Sequence, residues 1–456
     1  MKQQAVTPLS LGTDRLSSLL MRYAIPSIIA MTSSSLYNII DSIFIGHGVG
    51  ALAISGLALT MPLMNLSSAF GSMVGVGAAA IISIRLGEGN KATAEKTLGN
   101  VVLLNSIIGV MMMVVSFLFL DPILYFFGAS SQTIGYARDF MQIILAGSVV
   151  THMYLGLNEV LRATGYPKKA MMIMLTAVLF NCLLNPLFIF IFGWGIRGSA
   201  LATVIAQCIA LSISISHFSN PESFLHFKHG IFRLRKRIVA GILSIGTAPF
   251  LLHLCASIVV IFVNKALQQN GGDLYIGAYG IINRVVLLFI MIVAGLNQGM
   301  QPIVGYNYGA KQYHRVVKTL TITIGCAMCV TTTAFIIGQL FPRQVAMLFV
   351  GDADSNASEL IEAACQGLRI VVMAFPIVGF QIVTSNFFQY IGKPKRAILL
   401  SMTRQLLFLV PLLIILPQYF GTYGVWYSMP IADGLASILA LILILPQINR
   451  LKKGVQ

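Results

Sequence analysis

Acidic residues are scarce: Asp and Glu together number 14 in a chain of 456, against 30 Lys and Arg, and charges of either sign make up only 10% of it. With 57% hydrophobic residues and a mean hydropathy of +0.85, this scarcity excludes an ordinary water-soluble domain and leaves a polytopic membrane protein. Cysteine is sparse as well. The six, at 182, 208, 255, 326, 329 and 365, fall mostly inside apolar runs, which argues against a disulfide framework. Cys326 and Cys329 have the spacing of a metal or redox pair but sit mid-span without His or acidic company, so packing is the better reading. Missing altogether are a Gly-x-x-x-x-Gly-Lys-Ser/Thr loop, a His-Glu-x-x-His motif and any soluble stretch large enough for a nucleotide site. No cofactor is expected, and an intramembrane enzyme would find no paired acids or Ser with a base. No cleavable leader is evident, so the first apolar segment is expected to stay in the mature chain.

What is present is a series of apolar segments, each long enough to cross a hydrocarbon core of about 30 Å. Twelve are predicted: 17–45, 52–83, 97–120, 134–160, 168–191, 197–217, 238–265, 275–303, 316–341, 362–390, 397–416 and 424–447. Most of the 30 Lys and Arg fall in alternate connections, such as Arg85 to Lys96, Lys168-Lys169, Arg233 to Arg237 and Lys393 to Arg396. By the positive-inside rule these connections and both termini are cytoplasmic. The same segregation removes nucleic acid as a partner, because the charge lines one side of a bilayer and forms no soluble basic module.

The chain repeats itself at a shift of about 222 to 227 residues. Ala24-Ile-Pro26 is echoed by Thr247-Ala-Pro249, and Gly165-Tyr-Pro-Lys-Lys-Ala170 by Gly392-Lys-Pro-Lys-Arg-Ala397. Six spans per repeat place both halves the same way up, related by a pseudo-two-fold axis along the membrane normal. The expected organisation is an N-lobe at 1–216, a basic cytoplasmic linker at 217–237 and a C-lobe at 238–456. Two such bundles with a cleft between them form a transporter architecture, and without a nucleotide site the driving force has to be an ion gradient.

The repeat also serves as a control for polar residues. Asp41 places a carboxylate inside an apolar run, at a penalty of roughly 2.5 to 3.5 kcal/mol at a helix centre; its counterpart is Asn264. Asn38 lies one turn before it and Pro26 permits a bend lower in the same helix. Asn181 and Asn185 share one face of span 5, yet their counterparts Phe408 and Leu412 are apolar, and Thr203 corresponds to Met429. Asp41, Asn185 and Thr203 each lie roughly 8 to 10 Å inside their helix ends, with Asn181 a turn deeper. Such a set can hold a small cation such as Na⁺, tune a proton-carrying carboxyl group, or tie three helices together. Elsewhere, Arg404 and Asp433 have the depth to pair, Arg284 has no evident partner, His152 and His253 read as helix contacts, and Gly71 with Gly75 reads as close helix packing.

Tyr37-Asn-Ile-Ile-Asp-Ser-Ile-Phe-Ile-Gly46, Leu161-Arg-Ala-Thr-Gly165 followed by Pro167, Asn181 to Pro186, and Gly299-Met-Gln-Pro-Ile-Val-Gly-Tyr-Asn-Tyr-Gly309 together resemble the multidrug and toxic compound extrusion (MATE) family. The resemblance covers about residues 15 to 450. It implies a V-shaped pair of six-helix lobes in the cytoplasmic membrane, monomeric, exporting lipophilic, often cationic compounds in exchange for Na⁺ or H⁺. It further implies that Asp41, Asn181, Asn185 and Thr203 form the cation site, that bending near Pro26 accompanies ion binding, and that Tyr37 and Asn158 line the N-lobe cavity. Asn185 stands where relatives commonly have Asp, so one carboxylate is missing. The alternative reading, a flippase for lipid-linked sugars, would want a markedly basic cavity, for which only Arg284 and Arg404 are candidates.

Overall fold

A computed structural model describes residues 10–127, 129–349 and 357–454, with the side chains of 36–39, 51, 273 and 357 outside that set. Among the described residues there are helices and turns and no strand. Ten of the described helices are long and apolar enough to cross a membrane, and the pair Ile134–Ala146 and Ser148–Ala163, bent by 55° at Gly147, makes an eleventh crossing. The last of the ten, Pro394–Lys452, has 59 residues. As one rod it would reach roughly 90 Å, three times a hydrocarbon core. It folds over at Gly421, whose φ of 56° and ψ of −134° suit a residue without Cβ. Counted as two crossings, it brings the total among the described residues to twelve, the number of apolar segments in the sequence.

Spans 1 to 6 are Leu16–Gly48, Ala51–Gly87, Lys91–Leu118, the bent pair, Pro167–Ile191 and Gly195–Ser219; spans 7 to 10 are Lys236–Gly271, Asp273–Gly309, Tyr313–Leu340 and Ser358–Tyr390. Spans 11 and 12 occupy 394–420 and 422–452. Span 3 begins six residues before its expected start because Asn90 caps it, accepting from the Thr93 amide at 3.0 Å. Span 5 ends in a π-helical turn, Leu187–Ile191, after Pro186, and span 11 carries another at Thr403–Leu409. Span 1 runs unbroken through Pro26; the missing amide there leaves one carbonyl without its helical donor. One residue on, Ser27 Oγ donates to the Tyr23 carbonyl at 3.0 Å.

Two six-helix lobes pack around separate cores. Val74, Leu98, Phe140 and Leu157 belong to one buried cluster, while Met300, Leu320 and Phe387, and Val263, Leu368 and Trp426, belong to two others. The lobes exchange the basic ends of their first helices. Leu16, Leu19, Leu20 and Tyr23 of span 1 are buried with Met300 and Phe387, whereas Ile242 of span 7 is buried with Val74 and Leu98. The seam between the lobes is a backbone contact: a Cβ added to Gly246 would stand 1.9 Å from the Met73 carbonyl oxygen, and one on Gly87 1.9 Å from that of Tyr306. Both contacts lie in the basic halves of spans 2, 7 and 8. The lobes are therefore joined along their basic ends, as the closed end of a V.

Candidate functional site

Three helices of the first lobe each bring polar side chains to one point. On span 5, Asn181 and Asn185 are buried one turn apart, and on span 6, Ser199 and Thr203 are likewise buried one turn apart. Gly198 lets these helices close up, since a Cβ there would meet Phe188 at 3.0 Å. Between them stands Asp41 of span 1, 8% exposed.

The cluster is connected throughout. Asp41 Oδ1 accepts from Asn185 Nδ2 at 2.7 Å and from Ser199 Oγ at 2.7 Å. Asn185 Nδ2 also donates to Asn181 Oδ1 at 2.7 Å, Asn181 Nδ2 donates to Thr203 Oγ1 at 2.9 Å, and Thr203 Oγ1 donates to the Ser199 carbonyl at 3.1 Å. Hydrogen bonds to a charged group contribute about 1.5 to 3 kcal/mol each, so two of them are comparable to the insertion penalty of the carboxylate. The amide orientation follows from this network: with an ionised Asp41 the amino side of Asn185 must face it. Asn185 Oδ1 is then buried with no partner among the described residues. Carboxylate, amide and hydroxyl oxygens are hard donors of the kind that suit Na⁺, but offering the Asn185 oxygen to an ion beside Asp41 would require that amide to turn over.

A cavity of about 260 Å³ opens beside the cluster. Asp41, Asn181 and Thr203 lie along it, Ser67, Ser68 and Thr151 add hydroxyls, and Met61, Met64, Met141 and Met174 supply polarizable, adaptable walls. The expected set Asp41, Asn181, Asn185 and Thr203 is thus brought together. Ser199 joins it unannounced; its signal was the one-turn spacing to Thr203, easily lost among small residues of a packed membrane helix. Asn158 stands apart from this lining and donates to the Ala170 carbonyl at 3.0 Å, tying span 4 to span 5 at their basic ends. The side chains of Tyr37 and Asn38 lie outside the described residues.

Other candidates resolve into contacts between helices. His152 is fully buried, with Nε2 3.0 Å from Ser67 Oγ, and Gly71 gives it room, a Cβ there lying 3.3 Å from the ring. Arg404 Nε donates to Asp433 Oδ1 at 2.6 Å across spans 11 and 12. Arg284 is exposed and has no ion-pair partner among the described residues. All six cysteines are unpaired.

Fold and site together define a membrane protein of two pseudo-symmetric six-helix bundles, with a carboxylate-centred polar cluster beside a cavity in one of them. The sequence model of the MatE family matches residues 26–187 and 247–415, one block in each lobe, and the chain belongs to that family. It is 26% identical over 434 residues to the multidrug export protein MepA of Staphylococcus haemolyticus, covering 95% of this chain and 94% of that one. Among solved structures, a MATE protein in the straight conformation superposes with a TM-score of 0.91 at 25% identity, over 99% of this chain and 100% of the other. An outward-facing multidrug resistance MATE family transporter of the MOP superfamily gives 0.91 at 24% identity, with the same coverage.

Proposed function

We propose that the protein is a secondary antiporter of the cytoplasmic membrane, both termini inside, that exports lipophilic organic cations in exchange for an inward-moving cation at Asp41. The observation that carries this reading is the juxtaposition of a buried carboxylate, held by Asn185 and Ser199, with the Met-lined cavity. The multidrug export named for the MepA relative supports the substrate class. On this reading residues 1–216 and 238–456 move as two lobes, 217–237 links them, and span 1 bends near Pro26 as the site changes charge.

Of the two coupling ions, the arrangement favours the proton over Na⁺. Both donors hold Oδ1, so a proton can enter on Oδ2 without displacing either one. Sodium needs the Asn185 amide reversed, and a single carboxylate gives it one formal charge where two would bind it more firmly. Neutralising Asp41 removes the reason for Asn185 to present its amino side, and Asn185, Asn181 and Thr203 then rearrange as a unit. An organic cation in the cavity favours ionised Asp41, while the proton favours the drug-free state. Each ligand thereby shifts the conformational balance by its differential affinity. Cells expressing Asp41→Asn are expected to lose resistance to lipophilic cationic dyes at unchanged membrane protein level; undiminished resistance would remove Asp41 from the mechanism.

A further inference from the structure

The opposite, basic end of the molecule, where span 7 crosses over to the first lobe, holds a second cavity, of about 720 Å³, bounded by the end of span 2 and the starts of spans 3 and 7. Five cations stand on its rim, Arg85, Lys96, Arg235, Lys236 and Arg237. The carboxylate in its lining, Glu88, is already engaged by Arg85 at 2.7 Å. Lys96 and the Arg235-Lys236-Arg237 run have no acidic partner among the described residues. Beneath this rim the wall is apolar, made by Ile81, Ile84, Ile238 and Ile245.

The backbone that carries the Arg235-Lys236-Arg237 run is fastened from behind. Asn100 is fully buried, accepts from the Arg235 amide at 3.0 Å and donates to the Arg233 carbonyl at 3.2 Å, which fastens the start of span 7 to span 3. A few residues earlier in the chain, Lys228 Nζ meets Glu95 at 2.7 Å. The Gly99 Cα admits the Ile231 carbonyl, where a Cβ would lie 2.3 Å from it. A basic rim in fixed register above an isoleucine wall, at the level of the headgroups, matches an amphiphile with an anionic head. A free anion would use the rim and leave the wall bare.

We propose that this cavity binds an anionic phospholipid, its phosphate among Lys96, Arg235 and Arg237 and an acyl chain against Ile81, Ile84 and Ile245. Gly241 and Ile245 of the lining belong to the stretch of span 7 that meets span 2 at the seam, as Gly246 against the Met73 carbonyl. A bound lipid therefore braces the joint between the lobes. The inference stands apart from the transport reading, since it concerns a different cavity and is read by binding.

The test uses the full-length protein in neutral detergent, titrated separately with dioleoyl phosphatidylglycerol, dioleoyl phosphatidylcholine and inorganic phosphate, with bound species followed by native mass spectrometry and the melting midpoint in parallel. Phosphatidylglycerol is expected to bind and raise the midpoint; phosphatidylcholine and phosphate are not. Neutralising three cations in Lys96→Gln/Arg235→Gln/Arg237→Gln is expected to weaken phosphatidylglycerol binding about a hundredfold, each cation contributing roughly a factor of five. Should that variant fail to fold, Lys96→Gln alone is expected to weaken binding about fivefold, and the charge-keeping Lys96→Arg/Arg235→Lys/Arg237→Lys to retain it. Equal binding of phosphatidylcholine, an equal midpoint shift with phosphate, or undiminished binding by the neutralised variant would each overturn the proposal.

Discussion

Asp41 owes its place in the membrane interior to two donors on a single oxygen, and that asymmetry makes specific demands on its neighbours. Removing one donor in Ser199→Ala is expected to slow coupled efflux about tenfold, the equivalent of one charge-assisted hydrogen bond, without unfolding the protein. Parental efflux rates in Ser199→Ala would separate Ser199 from the coupling site. Asn185→Asp places a second carboxylate where the amino group now donates to Asp41. It is expected to abolish the Asn185–Asp41 bond and to introduce Na⁺ stimulation of efflux; Na⁺-independent efflux identical to the parent's would argue against the assignment. Most of this cluster was legible in the sequence because the internal repeat isolates it: Asn181, Asn185 and Thr203 correspond in the repeat to the apolar Phe408, Leu412 and Met429. Ser199 was not, because a serine in a membrane helix more often bonds its own backbone, as Ser212 does with the Cys208 carbonyl at 2.8 Å. Asn158 lies apart from the cavity lining: family resemblance carries position along a helix but not the neighbour a side chain meets, here the Ala170 carbonyl.

Among the helices, spans 11 and 12 carry the interaction with the clearest energetic consequence. Arg404 lies in the π-helical turn Thr403–Leu409, and its bond to Asp433 joins the two crossings that meet at Gly421. Asp433 is almost fully buried and Arg404 only partly so. Breaking a buried pair from one side leaves an uncompensated charge, at about 3 kcal/mol. Arg404→Leu alone is thus expected to lower the melting midpoint of the purified protein, and Arg404→Leu/Asp433→Leu to recover much of it. A double variant no better than the single would mean the pair is not what holds the two crossings. The pairing itself could be foreseen from matching depth. Neither π-helical turn could, because each depends on how a helix meets its neighbours and not on residue type alone. The early start of span 3 was missed because the polar first turns after Asn90 resemble loop composition until their cap is seen.

For the whole molecule, the twelve crossings and the repeat followed from hydrophobicity and charge, whereas the exchange of helix ends between lobes did not, since apolar residues at the basic ends of spans 1 and 7 do not declare which core they enter. That exchange makes the seam a shared element. A Cβ at Gly246 would overlap the Met73 carbonyl, which cannot move as a flexible side chain would. Gly246→Val is accordingly expected to hold the basic face open and stop turnover. Ser83, fully buried at the seam, reports on that opening. In a background lacking the six native cysteines, Ser83→Cys should react faster with an impermeant thiol reagent from the basic side when combined with Gly246→Val than without it; equal rates would contradict the expectation.

The most direct measurement is efflux of a fluorescent organic cation from proteoliposomes under a pH gradient and, separately, under a Na⁺ gradient, for the parent protein and for Asp41→Asn. The account predicts that the pH gradient alone drives efflux by the parent and that neither gradient does so for Asp41→Asn. Gradient-driven efflux that persists in Asp41→Asn would contradict it.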